Sequence, residues 1–239
     1  MTGAPAARLT DLRHATPARI ALGRAGVAIP TAAQLDFQRA HALARDAVYA
    51  ALDVDRIAAG LAGLGMEPLH LASLAGDRAT YLRRPDLGRR LDDASRKALN
   101  SRCADIAFVV ADGLSATAVN RHAVPLLRAL APSLGPVAIV TGGRVAIGDE
   151  IGGLLGADLV AVLIGERPGL SAADSLGVYV TWQPAPGAVD AARNCLSNIR
   201  PEGMPVVEAA AALAALFDAA RRHRMTGVGL SQRLAIEGE

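Results

Sequence analysis

The chain has 239 residues, with 25 Lys and Arg against 23 Asp and Glu and a formal net charge of +2, too near neutral for a polyanion-binding surface. Hydrophobic residues make up 51% and aromatics 3%, so the core is aliphatic and the stacking platforms of single-strand nucleic-acid binding are missing. Two cysteines, Cys103 and Cys195, make neither a disulfide framework nor a zinc site. There is no apolar run near the roughly 20 residues of a membrane span, and no apolar signal core in "MTGAPAARLTDLRH". The expectation is a soluble cytoplasmic protein with no membrane or nucleic-acid partner.

The chain opens on helical patterns. In "ATPARIALGRAG", Thr16 is placed as an N-cap and Pro17 at the first helical position, with Gly23 and Gly26 ending the helix. Thr31 is placed to cap a longer helix, "AAQLDFQRAHALARDAVYAALD", in which Phe37, Ala40, Ala44, Val48 and Ala51 share one face. Asp55 is placed to cap a short third helix that ends at "LAGLG". Residues 1–68 thus read as a small helical N-terminal domain, and 69–239 as an α/β domain.

That second part begins with "HLASLAG" as a first strand and continues through a basic loop and helix, "RATYLRRPDLGRRLDDASRKAL". "DIAFVVADG", "PVAIVTGG", "DLVAVLIGE" and "GVYVTW" are continuous apolar runs. Helical patterns occur in "SATAVNRHAVPLLRALAP", capped by Ser115, in "VAIGDEIGGLLG", in "VDAARNCLSNI" and in "PVVEAAAALAALFDAARRHR", whose basic last turn suits the helix dipole. Apolar runs alternating with helices predict parallel strands buried on both faces, a Rossmann-like open parallel sheet with crossover helices.

Ligands of such sheets bind beyond the carboxyl ends of the strands. Three runs end in small, polar, turn-forming residues: Ala111–Ser115, Thr141–Val145 and Gly165–Gly169. Glu166 stands where a strand leaves the core, and Pro168 stops that strand from continuing. There is no G-x-G-x-x-G, no phosphate loop and no G-x-S-x-G elbow. "TGGRVAIG" has neither the lysine nor the spacing of a phosphate cradle. The histidines (His14, His41, His70, His122 and His223) have no metal-ligand spacing. No catalytic or metal residues are therefore assigned. The charge cluster "YLRRPDLGRRLDD" reads as a self-neutralising solvated face, with a subunit interface or anion-binding loop as the alternative. Cys195 reads first as a small buried hydrophobe, the commonest state of a free cysteine, with a ligand-facing position as the alternative that spacing does not separate from it. The residues by themselves stop at a ligand-binding α/β domain.

"LRHATPARIALGRAG", "LDFQRAHALARDAV", "YLRRPDLGRRLD", "DIAFVVADGLSATAV", "VAIGDEIGGLLGADLVAVLIGERPGLSAADSLGVYVTW" and "RNCLSNIRPEGM" resemble, in order, the small (light) subunit of ethanolamine ammonia-lyase. The resemblance implies a hetero-oligomer with a large subunit that carries the substrate site and converts ethanolamine to acetaldehyde and ammonia by a radical mechanism. It implies adenosylcobalamin held between the subunits, with contacts on this chain at Val145, Glu166 and Cys195. The missing D-x-H-x-x-G motif, which supplies a lower-axial histidine in one class of corrinoid domains, implies base-on binding. Relatives with longer N-terminal extensions enter a bacterial microcompartment; the short Pro/Ala-rich start here favours the cytoplasm. Two other classes remain open: a stand-alone nucleotide- or sugar-phosphate-binding α/β protein, and a purely structural assembly subunit.

Overall fold

The computed structural model describes residues 11–16, 18–100, 104–130 and 135–237. Its centre is a six-stranded sheet in the order β1-β3-β2-β4-β5-β6. The strands are β1 (Leu69–Ala72), β2 (Ile106–Ala111), β3 (Val137–Thr141), β4 (Leu159–Gly165), β5 (Leu176–Trp182) and β6 (Arg193–Ile199). β1, β3, β2 and β4 are mutually parallel. β5 runs antiparallel to β4, and β6 antiparallel to β5, so β6 returns to the direction of the first four. The sheet is therefore mixed, and the expectation of an all-parallel sheet is corrected at β5, which reverses the strand direction. The short connection from Glu166 to Ser175 has no room for a crossover helix, so the chain turns back on itself.

β2 and β4 are buried at every residue, as continuous apolar runs covered on both faces should be. Alternate side chains feed two cores. Phe108 and Val110 join Leu163, Leu126 and Phe217 on one side. Val109 and Ala111 join Val140, Ile147 and Val162 on the other. The helices α2 (Val54–Ala62), α5 (Ala116–Ala129) and α7 (Val206–His223) supply the first core; α6 (Ile147–Leu155) supplies the second. α5 is capped as expected by Ser115, whose side chain accepts from the Ala118 amide. The helix α8 (Val228–Glu237), which follows α7, was not anticipated.

The N-terminal stretch departs from its pattern in three ways. Among the described residues, 15–16 and 18–30 form no helix: Ala21, Gly23 and Gly26 all have positive φ (50°, 80° and 63°), which a right-handed helix cannot hold. Thr16 does accept from the Ala18 amide at 3.1 Å, but the chain does not continue as a helix; Pro17 lies outside the described residues, as does Cys103. α1 (Thr31–Tyr49) starts after Pro30 without a side-chain cap, so Thr31 is its first helical residue. α2 is capped by Asp53, which accepts from the Arg56 amide, while Asp55 sits in its first turn. Ile57 and Leu61 of α2 belong to the main core.

The helical expectation for 189–199 is also corrected. A single 3-10 turn, Asp190–Ala192, leads into strand β6. Local propensity yields to tertiary context here: β5 offers an open row of backbone groups, and Arg193 forms a buried ion pair with Asp149 of α6. The "RATYLRRPDLGRRLDDASRKAL" stretch holds two short helices, α3 (Arg78–Arg83) and α4 (Asp93–Ala98), capped by Asp77 and Asp92.

Candidate functional site

Because β2, β3 and β4 are parallel and in register, with Ala111 opposite both Val140 and Ile164, their following loops leave the same sheet edge. The loops are also tied together. The Asp112 carboxylate accepts from the Gly143 amide at 3.0 Å, and the Leu114 amide donates to the Gly165 carbonyl at 2.9 Å. Gly165 must be a glycine, since a Cβ there would strike the backbone oxygens of Ser115 and Asp112. Asp112 is buried, and desolvation raises its carboxyl above the ordinary range against the opposing pull of Arg78 and the Gly142–Gly143 amides.

Val145 and Glu166 line one open cavity of about 420 Å³ at this edge, with Leu114, Arg144, Tyr81 and Tyr179. Glu166 is half-buried and held from two sides. One carboxylate oxygen accepts from the Ser175 hydroxyl and from the Asn198 amide at 3.2 Å. The Glu166 amide donates to the Ser175 carbonyl at 3.0 Å. The charge therefore joins the end of β4 to the start of β5 and the end of β6. Its other oxygen has no hydrogen-bond donor among the described residues.

Cys195 does not line this cavity. It is exposed on edge strand β6, directly opposite Tyr179 of β5, and Tyr179 does line it. Although the residue as a whole is exposed, partial desolvation pushes its thiol up, with Glu166 adding and Tyr179 opposing. The Tyr179 hydroxyl is pushed up to about 12, first by burial and then by Cys195. The three residues assigned by resemblance thus form a row: Val145 and Glu166 in one cavity, and Cys195 one strand away through Tyr179. The edge strand is fixed by Arg193, whose guanidinium meets Asp149, Asp190 at 2.9 Å and the Ala188 carbonyl at 2.9 Å. Burial raises the Asp149 carboxyl and Arg193 opposes that rise.

Sequence reasoning missed Tyr81 and Tyr179. The chain has three tyrosines, so any tyrosine in so aromatic-poor a sequence was a signal worth following.

The cavity suits a corrinoid edge. Corrinoid amides both donate and accept, and here a carboxylate oxygen with no donor among the described residues lines the cavity together with the apolar Val145 and Leu114. No histidine lines it.

The whole chain has close relatives. The model of the ethanolamine ammonia-lyase light chain family matches residues 6–231. The ethanolamine ammonia-lyase small subunit of Pseudomonas syringae pv. tomato is 54% identical over 98% of this chain and 86% of its own length. That of Pseudomonas aeruginosa strain UCBPP-PA14 is 53% identical over 95% and 89%, and that of Bradyrhizobium diazoefficiens 51% identical over 94% and 90%. The chain belongs to the ethanolamine ammonia-lyase light chain family.

Proposed function

We propose that this chain is the small subunit of an ethanolamine ammonia-lyase, a carbon–nitrogen lyase active as a complex with its large subunit, and that it forms one wall of an adenosylcobalamin site. The observation that carries this reading is the near full-length family match, joined to a cavity at the sheet edge that holds both Val145 and Glu166. When bound, the cofactor supplies the homolysis that starts the radical chemistry. The residues of this chain bind and orient. Val145 offers an apolar surface, Glu166 accepts from a corrinoid amide, and Cys195 extends the wall along β6. None of them moves a proton in the reaction, and the substrate site belongs to the large subunit. Base-on binding follows from the lack of a D-x-H-x-x-G histidine in the sequence. In the same reading the sheet is the Rossmann-like part, residues 69–239, and residues 1–68 are the helical part. The complex resides in the cytoplasm, with a bacterial microcompartment as the other location.

The test is the affinity of the reconstituted complex for hydroxocobalamin, followed by spectral titration. A hydrogen bond to a charged group is worth roughly 1.5–3 kcal/mol, so Glu166→Ala should weaken binding about ten- to hundredfold. Glu166→Gln, which can still accept from Ser175 or Asn198, should retain the fold. An unchanged dissociation constant in both variants removes Glu166 from the site.

A further inference from the structure

The segment from Tyr81 to Asp93 reads in sequence as a charged, solvated face. Part of it is: Arg84 and Asp86 pair at 2.7 Å with both side chains largely in water. The same segment also turns a second set of groups inward, toward the strand-end loops. Tyr81 is fully buried, and two guanidinium groups lie over its ring, Arg78 at 4.7 Å and Arg144 at 4.2 Å from the ring centroid. Its hydroxyl donates to the Gly143 carbonyl at 3.2 Å, and its own carbonyl accepts from the Arg144 guanidinium at 3.2 Å. The Gly88 carbonyl accepts from the Arg144 amide at 2.7 Å. Gly88 is packed so closely that a Cβ would stand 2.9 Å from Arg144 Cγ and 3.0 Å from the Gly142 carbonyl oxygen. Gly143 and Arg144 are therefore bonded directly to this segment, Gly142 packs closely against Gly88, and Val145 is the next residue.

Arg78 extends this grip to the neighbouring loop. Its Nη1 donates to the Gly113 carbonyl at 2.7 Å and lies 3.4 Å from the Asp112 carboxylate, which in turn receives the Gly143 amide. Its Nε donates to the Val48 carbonyl at the end of α1 at 2.7 Å. Burial pushes the Tyr81 hydroxyl up to about 12, so it stays a donor throughout the neutral range. A cation over the face of an aromatic ring is an attractive arrangement, and Tyr81 has two. It fixes Arg144 in direction as well as distance, which a simple apolar contact would not do.

We propose that Tyr81 is the positioning residue of the cofactor wall: in contact with the guanidinium groups of Arg78 and Arg144, it sets the Thr141–Val145 loop in the shape that receives the corrinoid. This rests on the cobalamin reading above. Tyr81 acts through Arg144 and Gly143, and its loss should appear in cofactor affinity and not in the chemical step.

The test uses the reconstituted complex with hydroxocobalamin as probe, together with the adenosylcobalamin KM and kcat. Tyr81→Phe keeps the ring and should stay within about threefold of the parent affinity. Tyr81→Leu loses both cation contacts and should weaken binding about tenfold, with the number of binding sites per complex unchanged and kcat at saturating cofactor within about twofold. A merely structural role would lower the number of sites, leave the affinity of those remaining unchanged, and overturn the proposal. If Tyr81→Leu does not fold, Gly88→Ala carries the same test: it lies outside the cavity lining and should raise the cofactor dissociation constant by displacing Arg144. Full parent affinity in Tyr81→Leu, or in Gly88→Ala where that variant replaces it, while Glu166→Ala binds weakly, overturns the Tyr81 proposal and leaves the site reading standing. Full parent affinity in all the variants, Glu166→Ala included, overturns the site reading itself.

Discussion

α1 and α7 are nearly the same helix on paper. They have 19 and 18 residues, are rich in alanine, and begin after a proline (Pro30 and Pro205) with no side-chain cap. In the fold they differ sharply. α7 buries Ala209, Ala210, Leu213, Phe217, Ala219 and Ala220. In α1, whose residues are all described, Ala47 alone is buried, while Leu35, Leu43 and Tyr49 stand more than half exposed. α7 also carries Glu208 in its first turn and Arg221, Arg222 and His223 in its last; α1 has neither charge pattern. The lesson is that periodicity reports which side chains could share a face, not whether anything covers that face. Most helical stability comes from tertiary packing, and α7 receives it from this chain. α1 is fastened mainly at its C-terminal end, where Arg78 holds the Val48 carbonyl and Asn120 holds that of Ala51 at 3.0 Å.

Removing the packing that distinguishes α7 should give the largest effect. Phe217 is fully buried and meets Phe108 edge to face, with centroids 6.0 Å apart. Phe217→Ala should destabilise the chain by about 3–5 kcal/mol, the usual cost of a large cavity under a sheet, as measured by urea unfolding. A loss below about 1 kcal/mol would mean that α7 is no more dependent on packing than α1.

What the sequence revealed follows the same division. "IAFVVA" and "LVAVLIG" are buried throughout and were readable as continuous apolar runs. The three strand-end loops were readable because polar and small residues directly follow those two runs and the run "VAIVT". β6 was not: its alternation is imperfect, Asn198 takes a positive φ of 59°, and its state is decided by pairing to β5 and by the Arg193–Asp149 contact, 44 residues apart. Tyr81 was hidden for a similar reason. It contacts the Gly143 carbonyl 62 positions away, and apart from being one of three tyrosines it has no local pattern that separates it from the charged residues around it. Glu166 was legible as a charge at a strand end, but its ties to Ser175 and Asn198 were not.

A smaller effect separates helices held by packing from those held by caps. Asp92 begins α4 by accepting from the Ser95 amide at 2.7 Å, and Asp77 begins α3 by accepting from the Thr80 amide at 2.9 Å. Those amides hold both carboxyls below the usual 3.8. Asp92→Ala should cost about 1 kcal/mol at neutral pH. The sign with pH is fixed by the direction of the shift. The folded pKa is depressed, so the stabilisation is fully present above 3.8 and is lost as pH falls through the lower folded value. Asp92→Asn, also a good cap, should lie close to the parent at neutral pH and lack this particular loss in acid. Parallel stability curves for the two proteins below pH 3.8 would show that the carboxylate charge contributes nothing at this cap.

The smallest change is expected on α1, and it tests the other half of the comparison. Leu43 is 52% exposed on a helix that presents little of itself to the core. Truncating it removes few contacts and opens no cavity, so Leu43→Ala in the isolated chain should shift stability by no more than about 0.5 kcal/mol. Amide exchange should show the cause. Protection in α1 should rise toward Val48, where Arg78 and Asn120 fasten the end, and fall toward Thr31, while α7 is protected along its length to nearly the global unfolding limit. If Leu43→Ala costs as much as a core truncation, or if the first turns of α1 exchange as slowly as those of α7, then α1 is held by contacts of this chain and the contrast between the two helices fails.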